Sequence, residues 1–316
     1  MNATESAVTF GNQSLVGVLC EPAQPARANG KAVVLVNAGS THRSGPGRLY
    51  TTLARRLAGR GYASLRFDLA GLGDSPHAVG LGKFRNYAAR QVQEAMDYLH
   101  ANGYRHVVLL GLCGGADIAF DAGVADERAA GLILINGAFV DGDAFADLYH
   151  KACRKTTNRF YAARFFSPRR WWRLVTFQSQ FWKRLTRRKA PSSPPASPPC
   201  DSSAGLPCGQ PTSEMTSTDS RHKWKTLARR RANVLLVYSE GSVFWDVYKA
   251  ASKDFLAAHY PADRLAVAFH KNADHTFTLL SAQERLASRI EQWLDALLAG
   301  RDTAECVTGG EKKQSG

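Results

Sequence analysis

The stretch HVVLLGLCGGADIAF, residues His106–Phe120, contains the pattern that decides the fold of this sequence. An apolar run, His106–Leu110, meets Gly111-Leu112-Cys113-Gly114-Gly115, and small residues with helical spacing follow at once. The apolar run predicts a buried strand, and the glycines predict a sharp turn into a helix. A cysteine flanked by glycines is therefore expected at a strand-to-helix turn.

This turn has the spacing of the nucleophile elbow, G-x-S-x-G, with Cys113 in the serine position. At the start of a helix, the helix dipole and the unpaired amides favour a thiolate over a thiol. Cys113 is thus a candidate nucleophile. The alternative is a buried structural thiol, because cysteine is among the most buried residue types.

Short apolar strands alternate with helical patterns along the rest of the chain. The expected strands are AVTF and LVGVL, which form a hairpin, then KAVVLVNAGS, ASLRF, HVVLL, GLILING, NVLLVYS and RLAVAFH. Helices are expected over RLYTTLARRLAGRGY, over KFRNYAARQVQEAMDYLHANG with Phe84, Ala88, Val92, Ala95, Met96 and Leu99 on one face, after Cys113, around Trp245–His259, and from about Ser281 to Leu298. This alternation predicts an α/β fold with a mostly parallel central sheet and helices on both faces.

One segment interrupts the alternation and predicts the domain organisation. We expect a core made of residues 1–137 and 233–300, an inserted lid over 138–232, and a disordered tail over 301–316. The lid begins with an aromatic and basic part, and residues 191–220 are rich in Pro, Ser and Thr and expected to be disordered.

The net charge of +14 is concentrated in this insertion, because no acidic residue occurs from Lys151 to Cys200. A basic excess can attract nucleic acid, anionic lipid or an acidic substrate. We favour a basic helical lid with its aromatic side chains toward the active site. Contact with an anionic membrane surface or a glycan stays open, and nucleic acid is not expected as a partner.

The six cysteines predict neither a zinc site nor a redox pair. They form no C-x-x-C spacing, which suits a reduced, cytoplasmic protein. No signal peptide and no membrane-spanning stretch is visible, and the histidines lack metal-ligand spacing. We therefore expect no metal and no cofactor. DLAGLGDS, Asp68–Ser75, lacks the spacing of a phosphate-binding loop and is expected to be a structural turn.

The order of elements resembles the α/β-hydrolase fold over nearly the whole chain outside the Pro/Ser stretch and the tail. Three segments, VTFGNQSLVGVL, HRSGPGRLYTTLARRLAGRGYASLRFDLAGLGDS and GLCGGAD, are similar to hydrolases associated with bacterial exosortase A systems, which are encoded among exopolysaccharide genes. The HRSGPGR loop together with GLC is the more specific part. The resemblance implies a cysteine at the elbow.

The resemblance also implies a catalytic histidine in the loop after the last strand. DHTF places His275 there, as the expected base. The acid expected after NVLLVYS falls on Ser242, which is not a carboxylate. Glu240 and Asp246 are the nearest candidates, with Glu240 preferred, and a Cys–His dyad without a third member is the alternative.

Backbone amides complete the expected site. The oxyanion hole should use the N–H of Gly114, which follows the nucleophile, and that of Gly39, in the loop after VVLVNAG. Asn37 is expected to brace that loop.

Together these residues predict a hydrolase that cleaves an ester or thioester through a cysteine acyl-enzyme, on a small acyl substrate that is either free or carrier-bound. Two alternatives stay open: an acyltransferase with the same Cys–His site, and a non-catalytic binding protein with the same fold.

Overall fold

Residues 3–23, 30–77, 84–140, 146–151 and 220–309 are described by the structure, a computed structural model, with side chains of the last helix described to residue 297. The chain divides into two compact units, Met1–Asp141 with Ser217–Gly316, and Gly142–Thr216. Nearly all of the second unit lies outside the described residues, as does the predicted disordered stretch 191–220 apart from Ser220. The following description concerns the first unit.

Eight strands form one sheet within the described residues. They are β1 (Ala3–Phe10), β2 (Leu15–Pro22), β3 (Lys31–Val36), β4 (Ala63–Phe67), β5 (His106–Leu112), β6 (Ala129–Ile135), β7 (Val234–Gly241) and β8 (Leu265–Asp274). Their order is β1-β2-β4-β3-β5-β6-β7-β8. The pairs β1–β2 and β2–β4 are antiparallel and the other pairs are parallel. The central strands read as continuous apolar runs because helices cover both of their faces.

Helices pack on both faces of this sheet. They are α1 (Leu49–Gly59), α2 (Phe84–Ala101), α3 (Gly114–Ala125), α4 (Ser220–Arg229), α5 (Phe244–Val247), α6 (Lys253–His259) and α7 (Leu280–Gly309), and one π-helical turn, Tyr248–Ser252, joins α5 to α6. Leu53 and Ile290 bury α1 and α7 in one apolar cluster, while Val92, Phe120 and Trp224 bury α2, α3 and α4 in another. The predicted α/β-hydrolase architecture is confirmed. Among the described residues, no helix has the length and apolar character needed to cross a membrane.

Three details differ from the sequence-based expectation. Phe84 is 40% exposed, because it begins α2 rather than lying under it. Helix α4 falls inside the predicted insertion 138–232, yet its Trp224 is buried in the core of the first unit. The last helix continues to Gly309, into the predicted disordered tail 301–316, since a single glycine such as Gly300 costs a helix only about 1 kcal/mol.

Candidate active site

Cys113 lies at the turn between β5 and α3 in a backbone conformation that side chains rarely adopt, with φ 57° and ψ −125°. Its N–H donates to the Ile135 carbonyl (2.8 Å), and its own carbonyl accepts from Ala116 N–H (2.9 Å). The side chain is half-buried. Strain of this kind persists only where the surrounding structure fixes it, which is typical of functional positions. The predicted strand-to-helix turn is present.

The glycines around Cys113 allow α3 to approach the sheet. A side chain on Gly111 would collide with the Gly115 carbonyl, and one on Gly115 would collide with the Asn37 carbonyl. The start of α3 therefore rests directly on the backbone ends of β3 and β5. The glycine spacing in the sequence is a packing requirement as well as a motif.

The two residues predicted for the oxyanion hole are neighbours. The position that a Cβ atom would take on Gly114 lies 3.6 Å from Gly39 Cα and 3.7 Å from Gly39 N. Gly39 has φ 60°, with open space on its side-chain side. Asn37 braces this loop, because its Nδ2 donates to the Thr41 carbonyl (2.8 Å) and its Oδ1 accepts from Leu69 N–H (3.0 Å).

Tyr50 supports the same edge of the sheet from α1. Its hydroxyl donates to the Val36 carbonyl (2.9 Å) and accepts from Leu112 N–H (3.1 Å). Burial raises the pKa of this phenol, so it stays a neutral donor. The ends of β3 and β5, which lead to the Gly39 loop and to Cys113, are thereby joined. In the sequence, Tyr50 is one apolar position of an ordinary amphipathic helix, so no signal marks it as a functional residue.

Asn136, at the end of β6, fixes the histidine loop. Its Nδ2 donates to Ser239 Oγ (2.9 Å) and to the His275 carbonyl (2.8 Å), and its Oδ1 accepts from Ser239 N–H (2.9 Å). The preceding residue, Ile135, accepts the backbone hydrogen bond of Cys113. The end of β6 therefore holds both the Cys113 turn and the His275 loop at one edge of the sheet.

The ring of His275 contacts a serine. Its Nδ1 lies 3.0 Å from the Oγ of Ser242, which is buried and also accepts from Phe244 N–H (3.3 Å). The Phe244 ring centre is 5.5 Å from that of His275. Desolvation lowers the pKa of His275, and Asp274 opposes this only in part. The neutral imidazole that a general base needs is favoured.

Neither carboxylate proposed from the sequence is the Nδ1 partner of His275. The Glu240 carboxylate is exposed and accepts from Asn272 N–H (2.9 Å), which ties the ends of β7 and β8 together. The Asp246 carboxylate forms an ion pair with Lys249 (2.8 Å) one turn along the chain. Ser242, at the spacing where the sequence pattern expected an acid, occupies that place instead. The position was visible in the sequence, but its residue type argued against it.

Asp274 shapes the loop rather than serving the His275 ring. Its Oδ1 accepts from Thr278 N–H (2.7 Å), and its Oδ2 accepts from the hydroxyls of Thr276 (3.0 Å) and Thr278 (2.7 Å). Phe277, fully buried, anchors the loop in the core. The turn that presents His275 is thus fixed at both of its ends.

DLAGLGDS forms a turn organised by the buried carboxylate of Asp68. Its Oδ2 accepts from Asp74 N–H (3.1 Å). The Arg43 guanidinium donates to the carboxylates of both Asp68 and Asp74. Side-chain atoms of His42, Asp68 and Asp74 lie within 4.8 Å of one another, as in some metal sites. Here Arg43 already supplies a fixed positive charge to both carboxylates, so the cluster reads as a structural ion-pair network.

Asp117 is a titratable residue that the sequence analysis did not identify. It lies in the first turn of α3, four residues after Cys113. Burial raises the pKa of its carboxyl to about 6, although Arg85 and the backbone N–H groups of Phe139 and Ala138 act in the opposite direction. Its charge near neutral pH therefore depends on small changes in its surroundings.

Comparison with protein families decides the wider assignment. Residues 28–191, more than half of the chain, match the model of the family described as serine aminopeptidase, S33. The chain belongs to this family of α/β-hydrolases. No curated protein matches the sequence.

Several solved structures resemble nearly the whole chain. Proline iminopeptidase from Mycobacterium smegmatis has 15% identity and a TM-score of 0.59, with 93% of this chain and 100% of that chain covered. The Pyrococcus furiosus esterase Pf2001 has 13% identity and a TM-score of 0.56, covering 93% and 91%. The thioesterase domain from the curacin biosynthetic pathway has 15% identity and a TM-score of 0.52, covering 91% and 99%. These likenesses show the fold.

Within the S33 serine aminopeptidase family, this chain departs from the pattern at two positions. The description of the family names a serine, whereas this chain has a cysteine, Cys113, at the elbow. The histidine is contacted by the hydroxyl of Ser242, where a carboxylate is usual in a catalytic triad. These are the positions at which a catalytic triad has its nucleophile and the partner of its histidine.

Proposed function

We propose that the protein hydrolyses ester or thioester bonds through an acyl-enzyme on Cys113, with His275 as the base. The strained backbone of Cys113 at the start of α3 is the observation that supports this most. The tethering of the nucleophile turn and the His275 loop to the end of β6 gives further support. An esterase and a thioesterase domain share the fold, which is therefore compatible with acyl-bond chemistry.

In the proposed reaction, the Cys113 sulfur attacks the substrate carbonyl while its proton passes to His275 Nε2. The carbonyl oxygen becomes negative and is held by the amides of Gly39 and Gly114. As that charge returns to the carbonyl, the bond to the leaving group breaks, and His275 gives the leaving group its proton. Water then attacks the thioester on Cys113, His275 takes the proton of that water, and the acid leaves as sulfur is reprotonated.

Ser242 makes the proton transfer different from that of a triad with a carboxylate. A carboxylate only accepts, so it holds the histidine with the proton on Nδ1. A hydroxyl can accept from Nδ1–H or donate to an unprotonated Nδ1, so either tautomer is allowed. This weakens His275 as a base for an alcohol. A thiol, which ionises near pH ~8.5, tolerates the loss better than serine would.

We further propose that the chain belongs to the exosortase A-associated subgroup and acts in the cytoplasm. The support is the similarity of the HRSGPGR loop and of GLC, residues of which form the Asp68 network and the elbow here. The proposed substrate is a small acyl group, either free or on a carrier. Whether the basic insertion contacts an anionic membrane or a glycan stays a prediction, since that segment lies mostly outside the described residues.

Intact-protein mass spectrometry tests the proposal. The full chain is incubated with a panel of acyl thioesters and aryl esters, beside Cys113→Ala. Wild type should gain one acyl mass, mapped to the peptide containing Cys113, and Cys113→Ala should gain none. Burial raises the pKa of Cys20 to about 11, so among the six cysteines this thiol serves as an internal unreactive control. Acyl mass on Cys113→Ala would overturn the assignment.

Two alternative functions are separated by the same experiment. An acyltransferase would form the acyl-enzyme but release it onto an added alcohol or amine faster than onto water. A non-catalytic binding protein, which the Ser242 departure favours, would form no acyl-enzyme with any ester while remaining folded.

A further inference from the structure

A cavity of about 620 Å³ opens between α4 and α6, apart from the candidate active site. Its walls are formed by residues from the two helices and from the segment after α6, namely His222, Lys225, Ala228, Arg229, Ala258, His259, Tyr260 and Pro261. Four of these eight residues carry basic side chains and none is acidic. The remaining four give it apolar walls.

The position of the cavity separates it from Cys113. The carboxyl ends of α4 and α6 lead into the beginnings of β7 and β8, which are the amino ends of these parallel strands. Cys113 and His275 follow the carboxyl ends of β5 and β8. A ligand in the cavity would therefore lie at the opposite end of the strands from the reacting atoms.

The basic residues near α4 differ in their partners. Outside the cavity lining, Lys223 pairs with Asp121 (2.8 Å), Arg230 with Glu127 (3.1 Å) and Arg231 with Asp263 (2.6 Å), and the Arg221 guanidinium lies over the Phe255 ring (5.5 Å to its centre). Lys225 and Arg229, which line the cavity, form no ion pair within the part of the chain that the structure describes. The Arg229 guanidinium makes one long hydrogen bond, to Thr226 (3.4 Å), and keeps its other donors.

His259 and Tyr260 form another part of the cavity wall. His259 is stacked on Phe255 (ring centres 4.5 Å apart) and its Nδ1 donates to the Phe255 carbonyl (2.9 Å), so Nε2 is the ring atom available to a ligand. The Tyr260 hydroxyl donates to the Ala232 carbonyl (2.8 Å), and its largely buried ring, packed against Trp224, forms part of the cavity wall. The cavity thus combines cationic donors with an aromatic wall.

We propose that this cavity binds a phosphate group carried on an apolar or aromatic body. Arg229 offers a guanidinium fork that matches a phosphate, and Lys225 offers a second positive charge. Tyr260 and Pro261 contact the body of the ligand. The phosphate belongs either to a soluble ester or to a lipid headgroup.

Calorimetric titration of the full chain with phenyl phosphate tests the proposal. Lys225→Gln/Arg229→Gln removes the two Lys and Arg cations that line the cavity, and Arg230→Gln/Arg231→Gln removes two cations paired with carboxylates near the same end of the helix as a matched control. The first variant should bind at least about tenfold more weakly than wild type, and the control within about twofold. An equal loss in both variants would mean a diffuse surface charge and would overturn the site.

A second variant tests the cavity without changing charge. Ala258 is exposed on α6, so Ala258→Trp fills the space while the helix should tolerate it. It should also weaken phenyl phosphate binding at least about tenfold. Full affinity in Ala258→Trp would contradict a site in this cavity. Melting temperatures of all three variants check that each is folded.

Flotation with vesicles distinguishes the two sources of phosphate. Phosphatidylcholine vesicles with and without phosphatidic acid are compared for wild type and for the two double variants. Binding to phosphatidic acid that is lost only in Lys225→Gln/Arg229→Gln would support the site with a lipid headgroup as its ligand. Wild type that binds neither phenyl phosphate nor phosphatidic acid vesicles would overturn the proposal.

Discussion

His275 Nδ1 lies 3.0 Å from Ser242 Oγ, so the histidine of this site is oriented by a neutral hydroxyl. The same hydroxyl accepts from Phe244 N–H, which fixes the oxygen in place. Desolvation lowers the pKa of the imidazole, and Ser242, being neutral, supplies no negative charge that would raise this pKa again. In the proposed site, His275 is a weak base that takes a proton from a thiol, which ionises readily. The same base would be poor at taking a proton from an alcohol.

The first prediction concerns the third member of the site. Ser242→Ala should slow acylation of Cys113 about fivefold, because one neutral hydrogen bond contributes about 1 kcal/mol. Glu240→Gln and Asp246→Asn should each stay within about twofold, since their contacts are with Asn272 and Lys249. Single-turnover rates with an acyl thioester measure all three. A large loss of acylation rate in Glu240→Gln or Asp246→Asn alone would instead support a triad with that carboxylate, as expected from sequence.

The second prediction follows from the pairing of nucleophile and base. Cys113→Ser alone should lose at least about 10²-fold in acylation, because a hydroxyl depends on a strong general base. Adding Ser242→Asp should recover a large part of this loss, since a carboxylate fixes the Nδ1–H tautomer and stabilises the imidazolium. The rates of the two single variants and of the double variant are compared with the same aryl ester. A double variant no faster than Cys113→Ser would argue against Ser242 as the acid position.

The strand and helix pattern was predictable from sequence because each element has a signal within its own short stretch of residues. Short apolar runs such as GLILING, ended by a glycine, favour a buried strand over a helix, and Gly111 and Gly115 mark a turn whose packing admits no side chain. Gly39 and Gly114, the residues expected from sequence to form the oxyanion hole, lie close together in the structure. Gly39 and Gly114 are far apart in the chain, yet each is fixed by the end of a neighbouring strand.

The partner of His275 could not be chosen from sequence, for a physical reason. Rules of residue type look for a carboxylate, and Glu240 and Asp246 were the nearest ones. Loop geometry decided otherwise, since the end of β7 turns at Ser242 and directs Glu240 outward. Asn136 was missed for a similar reason, because a lone asparagine after a strand has no distinctive spacing.

The third prediction is a pH profile. His275 acts as a base only when neutral, and its pKa is lowered, so acylation should fall with an acid limb below the ordinary histidine value of about 6.5. The same shift means that stability contributed by the neutral ring is lost as the pH falls through that lowered pKa. Ser242→Asp should move the acid limb upward, because a neighbouring carboxylate favours the imidazolium. Unchanged limbs in the two proteins would contradict His275 as the base.

The fourth prediction concerns Asn136 as a positioning residue. Asn136→Gly removes two buried hydrogen bonds and one partly buried one while allowing φ 49°, and should lower the unfolding free energy by about 2–4 kcal/mol. Asn272→Gly is the matched control, because Asn272 has φ 52° but is exposed, and it should change stability little. Denaturant unfolding measures both. Acylation in folded Asn136→Gly should also fall with its acid limb unmoved, since Asn136 holds the His275 backbone and not its ring. Equal effects of the two substitutions on stability and rate would argue against this role.

The last prediction concerns Asp117, whose pKa is raised to about 6 by burial. A carboxyl with a raised folded-state pKa opposes folding once it is ionised, so its stabilising effect is complete below its unfolded value of about 4 and is lost as the pH rises to about 6. Asp117→Asn cannot ionise. The stability difference in favour of Asp117→Asn should therefore grow between pH 4 and pH 6 and then level off. Its size should be about 1–2 kcal/mol, because residual solvent contact weakens the effect.

Asp126→Asn serves as the control of opposite sign. Burial raises the pKa of Asp126, but hydrogen bonds from Arg128 outweigh burial and lower it, so this substitution should become more costly as the pH rises through the acid range. Chemical denaturation at four pH values from 4 to 8 measures both. A flat difference for Asp117→Asn would show that its carboxyl titrates normally, with Arg85 and the Phe139 amide compensating fully for its burial.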